Sequence, residues 1–386
     1  MPTPSGSWRL CSRRSGRPMV LQGLNEDLAL PLLLRRPAIK EGARIRDSLR
    51  GRRVLVTGAG GSIGSELCLQ IAMSSPAALV LVDHSELNLH EISTTLDGSQ
   101  LSFSRMAALA DVRDIIAMQS LFRQVMPEIV FHAAALKHVP LLENDHNLIE
   151  AVRTNVGGTK AVADLCCAAG ADMVLISTDK AVNPSSGMGL TKRVAEIYVQ
   201  ALASRHSSVR LAQVRFGNVL GSSGSVVPLF RRQIAQGGPV TVTHAEMTRY
   251  LMTIKEAVTL TLEAADLNHH ADGYGSYVLD MGRPVKIIDL ARQLIEQSGL
   301  RPEIDIAIEI IGVRPGEKLV EELVYNWETV EVTPVAAVLR LISCFDPGRV
   351  APEIDLLLGM AELRDTTGVK KGLTRIVPEY QGEVIF

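Results

Sequence analysis

The stretch Val54-Leu55-Val56-Thr57-Gly58-Ala59-Gly60-Gly61-Ser62-Ile63-Gly64-Ser65-Glu66-Leu67 decides the fold of this 386-residue chain. Its aliphatic run reads as a buried strand, its spaced glycines as a tight turn, and the residues after Gly61 as the start of a helix. Gly58 allows the turn, Gly61 lets backbone N–H groups approach a pyrophosphate, and Gly64 permits close packing of helix on strand. Ser62 and Ile63 open the helix, where an anion is favoured. Three glycines alone fit a plain strand-to-helix turn equally well, so the flanking sequence has to decide.

Downstream, apolar runs recur at Leu79-Val-Leu-Val82, Ile129-Val-Phe131, Met173-Val-Leu-Ile176 and Leu211-Ala-Gln-Val214, each followed by a helix candidate. Parallel strands need crossover connections, so this alternation predicts an α/β fold with a doubly wound parallel sheet of Rossmann type. The composition, 46% hydrophobic but only 4% aromatic, suits strands covered on both faces by helices. The division expected is a basic extension at 1–50 and a dinucleotide-binding domain over 51–222, joined by 248–284. A smaller substrate lobe is expected from 223–247 and 285–345, and a helical tail over 346–386 with one helix at about 351–364.

The net charge of −2 gives no bulk attraction to nucleic acid or to a membrane. Residues 1–53 nevertheless hold twelve Arg or Lys against four Asp or Glu, a local +8 that leaves −10 for the rest. A disordered arm, a transit peptide or a translation start at Met19 all fit the first two dozen residues, and such an arm could touch anionic lipid. The longest apolar runs, such as Leu28 to Leu34 broken by Pro31, fall short of the ~20 residues that cross a bilayer. Five cysteines without metal or disulfide spacing point to a reducing cytoplasm, with Cys166-Cys167 as core packing. The nine histidines offer no ligand set, so no metal is predicted. His132 and His138 read as packing or hydrogen-bonding groups, and His269-His270 as an exposed polar loop.

Asp83 ends the second strand where a ribose-binding acid belongs, which favours NAD because a carboxylate repels a 2′-phosphate. The adjacent His84 and Ser85 leave NADP open, and a role for Asp83 as helix N-cap for 84–97 is compatible with both. Asp111 with Val112 follows the third strand region, where an acid can meet the adenine amino group or merely cap a helix. Ala133 and Ala134 supply small residues where a cofactor crosses the strand ends.

The glycine turn, the Asn155-Val-Gly-Gly-Thr159 motif and a lysine four residues after a pivotal position resemble the extended short-chain dehydrogenases. Three longer strings narrow the likeness: Phe131-His-Ala-Ala-Ala-Leu-Lys-His-Val-Pro140, Ser177-Thr-Asp-Lys-Ala-Val-Asn-Pro184 and Arg215-Phe-Gly-Asn-Val-Leu-Gly-Ser-Ser-Gly-Ser225. With Arg314-Pro-Gly-Glu-Lys318, they resemble the polysaccharide-biosynthesis (CapD-like) nucleotide-sugar 4,6-dehydratases, over about Leu32 to Tyr380. One departure stands out. The tyrosine of the usual Tyr-x-x-x-Lys is Met188 in Met188-Gly-Leu-Thr-Lys192, and a thioether cannot carry a proton.

The resemblance implies a UDP-amino-sugar dehydratase acting on UDP-N-acetylglucosamine with a cofactor that stays bound and is recycled. In that reaction C4 is oxidised, water leaves across C5 and C6, and hydride returns to C6. By the same resemblance Asp179 is the acid at the leaving hydroxyl, Lys180 the base at C5, and Thr178 the partner of the C4 hydroxyl. One branch of the family replaces the tyrosine with methionine, and Lys192 then still holds the nicotinamide ribose. A basic Lys180 demands a pKa lowered by burial or a nearby cation. Asn218, Arg249 and Arg314 are implied at the diphosphate, Lys137 and His138 at the sugar, and Glu317 at a ribose hydroxyl. The alternatives are a nucleotide-sugar 4-epimerase, which needs no acid for a leaving group, and a non-catalytic dinucleotide-binding protein. A homo-oligomer is expected.

Overall fold

The computed structural model describes residues 47–98, 103–271, 274–343 and 350–382. Residues 1–46 of the expected basic extension, with Cys11 and Met19, lie outside them, as does Cys344. The quoted stretch folds as read: β1 (Arg53–Thr57) turns into α1 (Ser62–Ala72), followed by β2 (Ala78–Asp83) and α2 (Glu86–Asp97). Next come β3 (Ser104–Leu109), α3 (Ile115–Val125), β4 (Ile129–His132) and two short helices, α4 (Val139–Leu142) and α5 (Asp145–Ala151). A π-helical turn at Val152–Gly158 runs into α6 (Thr159–Ala169), then β5 (Asp172–Ile176), α7 (Gly187–Ala203) and β6 (Leu211–Arg215).

The second half contributes β7 (Asn218–Leu220), α8 (Val226–Ala235), β8 (Val240–Val242), β9 (Thr248–Arg249), β10 (Leu251–Thr253) and α9 (Ile254–His269). It continues with β11 (Gly275–Leu279), β12 (Val285–Lys286), α10 (Ile287–Gln297) and β13 (Ile308–Ile310). The hairpin β14 (Glu328–Val332) and β15 (Val338–Ser343) precedes α11 (Ala351–Glu362) and α12 (Thr366–Ile376).

Nine strands form one sheet in the order β14-β15-β11-β6-β5-β4-β1-β2-β3. From β3 to β11 every pairing is parallel. The order reverses between β1 and β4, and doubly wound sheets open their ligand crevice at the strand C-termini there. Alternation along β1 explains the two covering layers. Leu55 packs into the cluster holding Val162, Val194 and Met118, whereas Val54 and Val56 pack with Leu67 and Val258 on the opposite face.

Two parts of the expected division need correction. β14 and β15 lie within 285–345, assigned to the smaller lobe, yet they extend the main sheet antiparallel beside β11. Their apolar faces are thin because this edge is exposed, with Val332 at 89%, so the sequence pattern there is faint. Residues 350–376 are part of the main core, since Ile354, Leu357, Val369 and Leu373 are fully buried in the same cluster as α6 and α7. The helix expected at about 351–364 is α11. The smaller lobe has its own core of Phe230, Val240, Leu290, Leu294 and Ile306, built from α8, β8, α10 and the segment before β13. Among the described residues no helix is long and apolar enough to cross a membrane.

Candidate active site

The crevice begins at the β1–α1 turn. Gly58 has φ +65°, and a Cβ there would stand 2.7 Å from the Ala134 nitrogen. A Cβ on Gly64 would stand 1.9 Å from the Gly58 carbonyl oxygen, so the helix can approach the strand only with glycine at that position. Gly61 is the N-cap of α1 and brings no side-chain cap. The first N–H groups of the helix therefore have no side-chain acceptor there, the condition under which a helix start receives a phosphate.

A cleft of ≈ 400 Å³ follows, and Gly58, Gly61, Asp83, Asp111, Val112, Ala133 and Ala134 are among the residues that line it. His84, which the sequence reading tied to NADP, lines it too, and so do Asn88, Arg113, Glu150 and Thr154, which were not foreseen. Asp83 accepts the N–H of Gly60 and of Ser85, each at 2.9 Å, which fixes its carboxylate and leaves a lone pair on each oxygen. The capping reading of both acids is corrected: the N-cap of α2 is Ser85 and that of α3 is Asp114. Asp111 instead grips Arg113, whose other arm reaches Glu150 at 2.7 Å. Burial alone would raise the Asp111 pKa, but the hydrogen bonds and charge of Arg113 hold it below the usual value.

Strand β4 ends at His132, which is buried between Thr57 and Thr159. Thr159 Oγ1 gives its proton to the Asn155 carbonyl, so His132 Nε2–H donates to Thr159, and Nδ1 accepts from Thr57. Burial, with Lys192 nearby, pushes the imidazole pKa down to about 3. His132 is a neutral girder. His269, expected in an exposed loop, instead closes α9 and lies 3.3 Å from Asp172. Among the described residues no group of three or more His, Cys, Asp or Glu could hold a metal.

At the end of β5 the chain turns through Thr178 into a 3-10 turn at Asp179–Ala181. Asp179 is fully buried; its Oδ1 accepts from Thr178 Oγ1 at 2.9 Å and from Lys180 Nζ at 3.0 Å, and its Oδ2 has no hydrogen-bond partner. Lys180 Nζ also donates to Asn218 Oδ1 at 2.9 Å. Burial would lower the Lys180 pKa, but the charges of Asp179 and Glu321 outweigh it and hold the ammonium above its ordinary value. That reverses the sequence expectation of a depressed lysine. The depressed lysine is Lys192: burial brings it to about 8, against the raising effect of Glu196, and its Nζ donates to the Ile176 carbonyl at 2.7 Å. Met188, one turn earlier on α7, is 2% exposed and packs with Val139, Leu142 and Ala151.

Of the residues expected at the substrate, Asn218 and Arg249 join the Lys180 cluster. Arg249 is buried, donates to the Thr248 carbonyl at 2.7 Å, and has its Nε 3.8 Å from Glu321. Arg314 lies on the exposed surface. Glu317 is half-buried, with a buried Oε2 that has no partner. Lys137 and His138 are exposed at the mouth, where the His138 ring closes on Gly224 of the Ser222–Ser225 loop. That loop meets the glycine turn, since Ser223 N donates to Ser62 Oγ at 3.1 Å. Near Lys180, sequence reasoning missed Glu321, seven positions after Arg314, 96% buried and 3.7 Å from Lys180 Nζ.

A family model described as "Polysaccharide biosynthesis protein" matches residues 54–342. The chain belongs to the polysaccharide biosynthesis protein family. It is 50% identical over 296 residues to a probable polysaccharide biosynthesis protein, EpsC of Bacillus subtilis, covering 76% of this chain and 48% of that one. The chain thus spans about half the length of that curated relative. It is 32% identical over 279 residues to a UDP-N-acetylglucosamine 4,6-dehydratase (inverting) of Campylobacter jejuni, covering 71% and 78% of the two chains. Among solved structures it superposes on Pen from Bacillus thuringiensis with TM-score 0.68 at 30% identity, covering 77% and 88%. The fold is shared with a Thermus thermophilus UDP-glucose 4-epimerase solved with NAD, at TM-score 0.58 and 20% identity, covering 70% and 90%.

Beneath the site, this polysaccharide biosynthesis protein buries a charged network. Arg215, fully buried, is held bidentately by Glu196 on α7, both contacts 2.7 Å, and by Glu328 on β14 at 2.7 and 2.9 Å. Arg193 meets Glu196 at 3.2 Å and Glu379 at 3.0 Å. Ser177, just before the Asp179–Ala181 turn, donates to Glu196 at 2.7 Å, and Tyr325 donates to the Ala181 carbonyl at 2.7 Å. The Gln381 N–H reaches the Pro184 carbonyl at 2.8 Å. The turn carrying Asp179 and Lys180 is therefore fastened to α7, to the segment before β14 and to the C-terminal residues.

Proposed function

We propose that the chain is a nucleotide-sugar 4,6-dehydratase, using NAD to convert UDP-N-acetylglucosamine into a UDP-4-keto-6-deoxy amino sugar. The observation that carries this reading is the direct contact of a buried carboxylic acid and a lysine, Asp179 with Lys180, at the C-terminal end of β5. An acid and a base in contact suit the removal of water across one carbon–carbon bond, whereas a 4-epimerase needs no acid for a leaving hydroxyl. The relation to the Campylobacter dehydratase supports the same reading.

The residues present fit a dinucleotide. Gly58 and Gly64 form a cradle that a Cβ would fill, α1 begins without a side-chain cap, and Asp83 offers its carboxylate where a 2′-phosphate would be repelled. Gly61, Ser62 and Ile63 would hold the pyrophosphate, Asp111 and Val112 the adenine, and Lys192 the nicotinamide ribose. When bound, the dinucleotide supplies the redox chemistry, taking two electrons from C4 and returning them at C6.

Thr178 donates to Asp179, so its oxygen is placed to receive the C4 hydroxyl proton and pass one on to that carboxylate. Asp179 then delivers its proton to the C6 hydroxyl, which leaves as water, while Lys180 takes the proton from C5. Asn218 holds the lysine, and Arg249 with Arg314 meets the diphosphate through planar, multiply donating guanidinium groups. Met188 fills the tyrosine position as packing.

Incubation with UDP-N-acetylglucosamine and catalytic NAD tests the reading by mass and by NMR at C6. Loss of one water with a new C6 methyl is the expected outcome. Unchanged mass with inversion at C4 would make the chain an epimerase, and binding without turnover of any UDP-sugar would make it a non-catalytic protein. Asp179→Asn and Lys180→Ala should each abolish dehydration and spare NAD binding.

A further inference from the structure

A lysine that must accept a proton from C5 is held in this structure as an ammonium, and the groups around it account for how it is freed. Lys180 Nζ stands between two carboxylates, Asp179 at 3.0 Å and Glu321 at 3.7 Å. The Glu321 segment is docked on the catalytic turn from both sides: Lys318 Nζ donates to the Val182 carbonyl at 3.1 Å and Tyr325 to the Ala181 carbonyl at 2.7 Å. Arg249 N–H groups further fix it, one at 3.8 Å from Glu321 and one at 3.4 Å from the Leu319 carbonyl. A glutamate 4% exposed and so anchored is not a surface charge.

Resting on the dehydratase reading, we propose that Glu321 is a positioning residue for Lys180 that stores one proton during the reaction, taking it from the lysine after C4 is oxidised and giving it back at the end. The proton inventory requires such a store. At rest Asp179 and Glu321 are carboxylates and Lys180 is an ammonium. Oxidation at C4 releases the hydroxyl proton, which passes through Thr178 to Asp179. Asp179 is now the acid that dehydration needs, but Lys180 is still protonated and cannot take the C5 proton. Transfer from Lys180 Nζ to Glu321 Oε1 leaves a neutral amine beside a neutral acid. In the elimination the C5–H bond breaks to Lys180, the C6–O bond breaks, and Asp179 protonates the leaving hydroxyl as water. Lys180 then returns its proton to C5 as C6 is reduced, and Glu321 reprotonates Lys180. All three groups end as they began, and the proton lost from C4 has left in the water.

The electrostatics support a carboxyl able to hold that proton. Burial raises the Glu321 pKa, and Asp179 adds to it, against the lowering by Lys180, Arg249 and Lys318. These are the charged groups that face it from the catalytic turn, from β9 and from its own segment.

The test uses the full chain with NAD and UDP-N-acetylglucosamine, and compares wild type with Glu321→Gln. Oxidation at C4, followed in a single turnover by the absorbance of reduced nicotinamide, should change by less than about threefold, while loss of water should slow by about 100-fold or more. The residual dehydration should rise with pH, because the bulk solvent must now deprotonate Lys180. In the unliganded protein with 13C-labelled glutamate, a protonated-carboxyl infrared band titrating above the ordinary glutamate range should be present in wild type and missing in Glu321→Gln. Unchanged dehydration and pH profile in the variant, or an equal loss in both steps, would overturn the assignment. If the glutamine variant does not bind NAD, Glu321→Asp replaces it: an acid limb displaced from that of wild type is expected, and an identical limb overturns the idea. A wild-type chain that never loses water defeats the dehydratase reading and this one together, whereas an active wild type with an indifferent variant defeats this one alone.

Discussion

Lys192 Nζ donates to the carbonyl oxygen of Ile176 across 2.7 Å, and Lys192 as a whole is 5% exposed. The charged form is disfavoured by burial, which places the folded-state pKa at about 8 against 10.5 for the free side chain. Below pH 8 both folded and unfolded chains carry this proton and the penalty is fully present. Between pH 8 and 10.5 the folded chain has released it and the unfolded chain has not, so stability rises with pH. Lys192→Met removes the group. Urea unfolding at the two ends of that window should show wild type gaining on the variant as pH rises, and a constant difference would refute it. NAD affinity of the variant should fall by about tenfold or more by calorimetry, a loss of about 1.4 kcal/mol.

Gly64→Ala tests the helix approach. The added Cβ would be driven against the Gly58 carbonyl oxygen, and relief requires moving α1 or the turn. Thermal or chemical unfolding should show a loss of roughly 1–3 kcal/mol, with NAD binding lost beyond that. Wild-type binding in the alanine variant would mean the turn does not hold the pyrophosphate.

Met188 packs in an apolar cluster, so its replacement by another apolar side chain of similar volume should be tolerated. Met188→Leu is expected to keep turnover within a few-fold and to lose less than about 1.5 kcal/mol of stability. A large fall in kcat at unchanged stability would give the thioether a chemical part that packing does not supply.

Removing the centre of the buried charged network takes a cation from two carboxylates. Arg215→Met removes the guanidinium 2.7 Å from Glu196 and Glu328, leaving Glu196 with Arg193 as its cation. A destabilisation of about 3–5 kcal/mol is expected in urea titrations. A variant as stable as wild type would show that the fold does not depend on the Arg215 guanidinium.

The sheet was legible because its strands announce themselves by period. Val54 to Thr57, Leu79 to Val82 and Met173 to Ile176 are apolar on both faces, as buried parallel strands must be. The exposed hairpin β14–β15 carries Glu328, Thr329 and Glu331 among its apolar residues, and its place in the sheet depends on partners far away in sequence. At the site, Asp179, Lys180 and Asn218 were visible because they sit in contiguous strings with recognisable chemistry. Glu321 was not, since one glutamate beside another, outside any recognised string, reads as solvated surface even between Leu319-Val320 and Leu323-Val324. Only the docking of Lys318 and Tyr325 on the Asp179–Val182 turn reveals that it points inward. The direction of the Lys180 shift was equally invisible, because it depends on how many carboxylates surround the amine in space.

The buried charged network also sets an order of events during synthesis. Glu196 and Arg215 are made 113 residues or more before Glu328, and Arg193 precedes Glu379 by 186. A nascent chain that has emerged only as far as β11 would have to bury Arg193 and Arg215 with half their partners, which the low-dielectric interior resists. Long loops must close before these contacts form, which slows the approach to the native state. The centre of the sheet can be sketched early, but its final closure awaits the last strand and the residues beyond α12. A ribosome-bound fragment lacking residues beyond about 325 should therefore remain open to proteolysis around Ser177–Pro184.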